Sequence, residues 1–400
     1  MLALIGAATF IAHSFVEWVE RRFLVISGAE YILLGVLLGP AVAGQVQGFQ
    51  DLTSLAPVIA FAAGWVGLLY GMELRIGIPE SGHGVRLAMF DVAATALSLG
   101  VASWYALTQG WFMEPVAGRE ATIAAVALGC AGAAGSSTAV DLLRSRFSSL
   151  ETELLPLLRR SARIGDMMAI VGFGLIFCVF HEGATRMDQP PGWTAWLLIS
   201  LLLGFACGWV FSLFLGDEPD ENHLFLALVG ILVFASGAAF FLNLSALMVN
   251  VVLGAIIVNR PQGPSVASAL ERTAGPVRIV LLVFAGALWV PVDPSATLAL
   301  TGVYVLLRLI AKYLGSWIAT VGTPLRSDIA RGMMAQGGVA IAMAISLKLV
   351  YTGPAIDLAY TVILLTAMIH EGIAPRLLKG LLIDAGELRH EQETLMTAGR

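Results

Sequence analysis

Long apolar stretches separated by short polar or charged turns run along almost the whole chain. A helix that crosses a bilayer needs about 20 such residues. The stretches predict thirteen helices, at residues 2–20, 26–40, 53–73, 85–109, 119–146, 150–181, 193–215, 222–241, 244–259, 275–291, 295–320, 327–350 and 355–378. The weakest pattern is that of 26–40, SGAEYILLGVLLGP, which is short, carries Glu30 and is interrupted by Gly35 and Gly39. The pair at 222–259 is tight, with only Asn243 and its neighbours to turn on. The pattern therefore predicts an all-α polytopic membrane protein, with residues 1–380 as one transmembrane unit and 381–400 as a polar tail.

Composition sharpens this picture. The 400 residues are 58% hydrophobic and 13% charged, against about a quarter charged in soluble domains. The mean hydropathy is +0.84, which excludes an ordinary soluble globule. Cys130, Cys178 and Cys207 lie inside apolar runs without CxxC or Cys/His spacing, so they read as small buried hydrophobes. The net charge of −5 comes from scattered residues, which argues against a nucleic-acid partner. His13, His83, His181, His223, His370 and His390 are too dispersed for a metal cluster, and His370 with Glu371 reads at most as a local polar contact. A nucleophile elbow, an HExxH pair and a phosphate-cradling Gly loop are all missing from the sequence, so an enzyme and a bound cofactor are not expected. The first apolar run lacks the positive flank and cleavage site of a signal peptide and reads as a retained helix.

Basic residues orient the helices. Placing the first inter-helix loop inside leaves only Arg119, Arg186 and Lys348 on the outer side and Arg163, Arg308 and Lys312 within helices. The other 17 of the 23 Lys and Arg residues then fall on the inner side. That bias predicts an outer N-terminus and a cytoplasmic C-terminus, in an integral protein of the bacterial inner membrane type.

A charge near the bilayer centre costs about 2.5–3.5 kcal/mol on insertion scales and marks a pathway or a partner. Asp166, in RRSARIGDMMAIVGFG, has a continuous apolar run behind it. It is either a carboxylate that binds a cation and a proton in alternation or one neutralised by Arg163, three residues earlier on the same face. Arg308 and Lys312 lie four apart on one helix face with no acidic residue in their segment, so their counter-charge comes from another helix. Asp166 is the obvious candidate, with snorkelling to an interface as the alternative, more plausible for Arg308. Two segments read as helices interrupted at membrane depth. The first, GCAGAAGSSTAV, holds Gly132, Gly135, Ser136, Ser137 and Thr138; the second, MMAQGGVAIAMA, holds Gln336, Gly337 and Gly338. Such breaks free backbone groups to coordinate ions and point to a transporter site, while close helix packing through small residues is the plainer alternative.

The order of these fragments resembles the monovalent cation:proton antiporter superfamily, in particular its bacterial cation:proton antiporter-2-type branch. The carriers are GVLLGP, WVGLLYGMELRI, GSSTAV, IGDMMAI, AKYLGSW and QGGVAIAMA, which span nearly the whole chain in the family's order. The resemblance implies thirteen helices in inverted repeats with two crossing discontinuous helices. It also implies a mobile core domain (about 53–181 and 275–350), dimerisation helices (about 1–40 and 193–259), a homodimer and elevator-type movement. By the same resemblance, Asp166 matches the ion- and proton-binding aspartate, and Ser136, Ser137 and Thr138 match the unwound stretch beside it. Gly135 lies in the first break, and Gln336, Gly337 and Gly338 match the partner break. Lys312 matches the basic residue of the eleventh helix, and Glu73 matches a position of structural role.

Two departures stand out. Gly165 precedes Asp166 where the family has Asp, Asn or Gln, and Arg163 is an extra cation nearby. At about 4 Å and an effective dielectric of about 20, that cation would favour the ionised carboxylate by several kcal/mol. Alternatively, Arg163 points towards the cytoplasmic funnel and leaves Asp166 free. The implied function is exchange of Na⁺ or K⁺ for protons, one for one and electroneutral because the pair holds a single carboxylate. The rival is a homologue that has lost ion selectivity and serves as a sensor, subunit or scaffold. The tail at 381–400 leaves no nucleotide-binding domain to be expected within the chain.

Overall fold

The computed structural model describes residues 28–40, 42, 53–75, 82–116, 118–146, 154–182, 191–215, 221–261, 263–271 and 273–388. The expected helix at 2–20 and the tail beyond 388 lie outside the described residues. Among those described, fourteen α-helices and two short 3₁₀ turns form the structure, and no strand occurs. In chain order the helices are α1 (Ala29–Leu38), α2 (Ala56–Gly71), α3 (Gly82–Gln109), α4 (Gly118–Ala133), α5 (Thr138–Arg146), α6 (Leu154–Val179) and α7 (Trp193–Leu215). They continue as α8 (Glu221–Phe241), α9 (Ala246–Val258), α10 (Gly263–Glu271), α11 (Ala274–Ala287), α12 (Pro294–Thr320), α13 (Gly338–Val350) and α14 (Pro354–Asp384). Six are long and apolar enough to cross a membrane: α3, α6, α7, α8, α12 and α14.

Local chemistry sets several of the boundaries. Asp293 opens α12, its carboxylate accepting from the Ala296 N–H at 2.8 Å with Pro294 at the first helical position. Those hydrogen bonds, with one from the Ser295 hydroxyl, hold its carboxyl below the usual carboxylate range. Asn243 takes the left-handed conformation, φ 52°, and so closes the tight turn between α8 and α9 expected from its position. The two stretches expected to be interrupted at membrane depth are each broken. Residues 119–146 divide into α4 and α5 around 134–137, and residues 327–350 into a 3₁₀ turn (Ile329–Gly332) and α13 around 333–337. The short α10 escaped the pattern because its nine residues, GPSVASALE, are too few and too weakly apolar to read as a membrane span. Helix α14 runs through Pro375 to Asp384, past the end predicted at 378.

The helices pack in two groups. Helix α2 lies along α9 and α8, α7 lies on α9, and α11 lies on α1. In the other group α3 packs against α4, α12 and α6, while α14 covers α4, α5, α12 and α13. Helix α13 touches both groups, through α2 and α11 on one side and α14 and α4 on the other. By packing, α2 and α11 thus lie with the α7–α9 group, and α14 lies with the aspartate-bearing helix α6. Contact within each group is close: a Cβ on Gly315 of α12 would lie 2.9 Å from Asp91 Cα of α3. The face of α7 turned away from this packing exposes Leu202, Phe205, Trp209, Leu213 and Phe214, as a helix against lipid does.

Candidate ion-exchange site

Helix α6 carries Ser161, Ala162, Gly165, Asp166, Ala169 and Phe173 on its buried face, at helical spacing. Gly165 lies against α3, where a Cβ would stand 3.3 Å from Val92. Asp166, one residue on, is 1% exposed and accepts a hydrogen bond from the Gly135 N–H at 2.7 Å. Tyr70, near the end of α2, is a neighbour of the same carboxylate. Among the described residues no Lys or Arg lies within ion-pair distance of Asp166.

The donor to Asp166 exists because the first interrupted helix frees it. Helix α4 ends at Ala133, and an ending helix leaves its last carbonyls without intrahelical partners. The Cys130 carbonyl accepts from the Ala134 N–H at 3.0 Å, and two more are satisfied by other helices: the Ala131 carbonyl accepts from Gln336 Nε2 at 2.9 Å and the Gly132 carbonyl from Arg308 Nε at 2.8 Å. One turn earlier the Leu128 carbonyl accepts from the Tyr304 hydroxyl at 2.8 Å. Arg308 reaches further. Its two terminal nitrogens donate to the Ala134, Met334 and Ala335 carbonyls at 3.3, 2.9 and 3.2 Å. One fully buried guanidinium thus binds the carbonyl ends of both interrupted segments, and its planar fork of five donors suits that task. It also complements the negative C-terminal end of the α4 dipole.

The two breaks meet directly. A Cβ added to Gly337 would collide with Ser136 Oγ and lie 3.2 Å from Glu371 Oε1, so the strands of backbone at 136 and 337 approach as only glycine permits. Gln336 is fully buried and turned to α4, and Gly338 opens α13. Ser137 donates to Asp141 in the first turn of α5 rather than to Asp166, at 2.9 Å. Thr138 is the first residue of α5.

Three expectations are corrected. Lys312 does not pair with Asp166: its Nζ lies 2.7 Å from Asp91 Oδ2 of α3, and both side chains are buried. The sequence reading missed Asp91, although a carboxylate inside LAMFDVAATALSL carries the same intramembrane signal that singled out Asp166. Arg308 neither snorkels nor seeks a carboxylate, because the freed carbonyls neutralise it where it lies. Arg163 does not neutralise Asp166 but turns to Glu73, just beyond α2, at 2.7 Å. Of the other residues singled out, His370 shares a hydrogen bond through Nδ1 with the Thr366 carbonyl, and Glu371 pairs with Arg278 at 2.8 Å. Cys130, Cys178 and Cys207 are buried free thiols.

The arrangement is a dehydrated carboxylate at the meeting point of two helix breaks, with a cation nearby that is occupied by backbone. Such a group can take up a proton or a desolvated cation, since an isolated buried charge is too costly to leave uncompensated. No protein-family model and no curated protein sequence matches the chain. Among solved structures it is similar to the sodium proton antiporter MjNhaP1 from Methanocaldococcus jannaschii, with 16% identity and a TM-score of 0.60 over 94% of this chain and 98% of that one. Over nearly its whole length, then, the chain has the fold of a sodium proton antiporter.

Proposed function

We propose that the protein is a secondary active antiporter that exchanges a monovalent cation, Na⁺ or K⁺, for protons at Asp166. The observation that carries this reading is the environment of that carboxylate: buried, bonded to the Gly135 N–H at a helix break, and out of reach of any described Lys or Arg. A proton and a cation then compete for one charge, and each displaces the other. Carbonyls of the broken segments and the Ser136 hydroxyl complete the cation's shell together with water. Arg308 holds the break open in a fixed shape, and Lys312 with Asp91 ties α12 to α3. The inverted-repeat reading makes the two breaks counterparts, with Gly135 and Gln336 to Gly338 as their unwound turns.

Exchange requires the site to face the two sides of the membrane in turn. The helix groups supply the division: α3 to α6 with α12 to α14 carry the site, and α1, α2 and α7 to α11 form the frame against which it slides. The frame also offers the surface for a homodimer. The antiporter MjNhaP1 shares this fold, which supports the reading. The scaffold alternative drew on Gly165 in place of a side-chain ligand and on a cation beside Asp166; the turning of Arg163 to Glu73 speaks against the second of these grounds.

One carboxylate in the pair makes one-for-one, electroneutral exchange the expected stoichiometry. The test is reconstitution into liposomes with an imposed Na⁺ or K⁺ gradient, reading internal pH and membrane potential together. The expected result is a pH change without a potential. A potential that builds during exchange would contradict electroneutrality, and silence to Na⁺, K⁺ and Li⁺ across pH would contradict antiport.

A further inference from the structure

Among the described residues two ion pairs tie the helix groups to each other, and they run in opposite senses. Arg163 of α6, in the site-bearing group, meets Glu73 at the end of frame helix α2, with Nε 2.7 Å from Oε2. Arg278 of frame helix α11 meets Glu371 of α14, in the site-bearing group, at 2.8 Å. The guanidinium is on the site-bearing side in the first pair and on the frame side in the second. Both pairs stand close to the exchange centre along the chain or in space. Arg163 is three residues before Asp166, and Glu371 Oε1 would lie 3.2 Å from a Cβ on Gly337, the residue that touches Ser136. Glu371 also borders a cavity of about 250 Å³ between α1, α11, α13 and α14, lined by Ala29, Ile32, Leu282 and Ile341. Its side chain is 9% exposed, against 31–32% for Arg278, Arg163 and Glu73.

A sliding movement of one group past the other cannot keep either pair, because a bond of under 3 Å does not survive displacement by a helical turn of about 5.4 Å. We infer that Arg163–Glu73 and Arg278–Glu371 form a two-point latch that holds the frame and the site-bearing group in the present arrangement and must open in each transport cycle. The latch rests on the antiport reading but adds what that reading lacks, namely the contacts that set the energy gap between the two arrangements. These four are positioning residues. Opposed polarity has a consequence of its own: opening both latches uncovers one cation and one anion on each group, so the movement carries no net latch charge.

The test uses the full chain reconstituted in liposomes, in a background with Cys130→Ala, Cys178→Ala and Cys207→Ala. Arg278→Cys with Glu371→Cys is joined by a cleavable bifunctional thiol reagent, and Arg163→Cys with Glu73→Cys is treated likewise. The control pair is Arg119→Cys with Glu182→Cys, which replaces an exposed ion pair at 3.0 Å lying wholly within the site-bearing group. The expected result is exchange that falls at least tenfold on crosslinking either latch pair, returns on cleavage of the reagent, and is unchanged by crosslinking the control. Charge swapping gives the second reading: Arg278→Glu shifts the half-saturating cation concentration two- to tenfold, and adding Glu371→Arg brings it back. Exchange at the uncrosslinked rate with either latch pair joined would overturn the latch while leaving antiport intact. Silence of the native chain would overturn antiport and the latch with it.

Discussion

Arg308 and Asp166 serve opposite polarities of the same helix break. The guanidinium takes the Gly132 and Ala134 carbonyls while the carboxylate takes the N–H of Gly135, the next residue along. Backbone that a continuous helix would have paired internally is divided between a cation and an anion on two other helices. Together the two side chains satisfy backbone groups that the break leaves open.

Removing the cation should unfasten that arrangement. Arg308→Met leaves four buried carbonyls without their donor, and charged hydrogen bonds of this kind carry about 1.5–3 kcal/mol each, far from additively. A loss of about 3–5 kcal/mol is expected, with Arg308→Lys intermediate because an ammonium has three donors and no planar fork. Thermal unfolding of the detergent-solubilised protein, followed by tryptophan fluorescence, checks the order native, lysine, methionine.

Lys312 and Asp91 behave as a buried pair. Either Lys312→Met or Asp91→Leu alone strands a charge in the interface of α3 and α12 and is expected to cost about 3–5 kcal/mol. The double variant strands nothing and should return to within about 1–2 kcal/mol of native. It should also retain cation-dependent exchange, since neither side chain touches Asp166; a double variant that is stable but inert would assign Lys312 to the exchange step itself.

Neighbouring glycines should differ sharply. Gly337→Ala forces a methyl into Ser136 and is expected to destabilise by about 1–3 kcal/mol and to slow exchange. Gly338→Ala meets nothing within 4 Å and opens a helix, so its effect should stay within about 0.5 kcal/mol. Melting temperatures and exchange rates of the two variants side by side check this, and equal effects would contradict the described approach of the two breaks.

Much of the fold was legible because a bilayer imposes one rule: apolar stretches of sufficient length become helices. From α2 onward the predicted stretches coincide with observed helices to within a few residues, as at Trp193–Leu215 and Pro294–Thr320. The clusters GAAGSST and AQGGV announced both breaks, since small and polar residues in apolar runs have few other uses. What the sequence did not disclose was pairing across helices. Sequence spacing put Arg163 beside Asp166, but a long flexible side chain reaches a carboxylate on another helix as readily as one on its own turn. Arg308 was referred to a carboxylate because carbonyls freed by a break leave no trace in residue identity. Asp91 was visible by the same rule as Asp166 and was passed over; Glu371 was noted beside His370 but without its partner Arg278, and Tyr70 gave no signal, because a tyrosine near a helix end is ordinary.

The central claim is that Asp166 alone exchanges its proton for a metal ion. The most direct measurement is cation-induced pH change in proteoliposomes, with Na⁺, K⁺ and Li⁺ tested across pH, for the native protein and for Asp166→Asn at matched, folded protein density. The account predicts exchange in the native protein with at least one of these cations and none in the variant. Exchange that survives Asp166→Asn would contradict it and place the exchanging group elsewhere in the molecule.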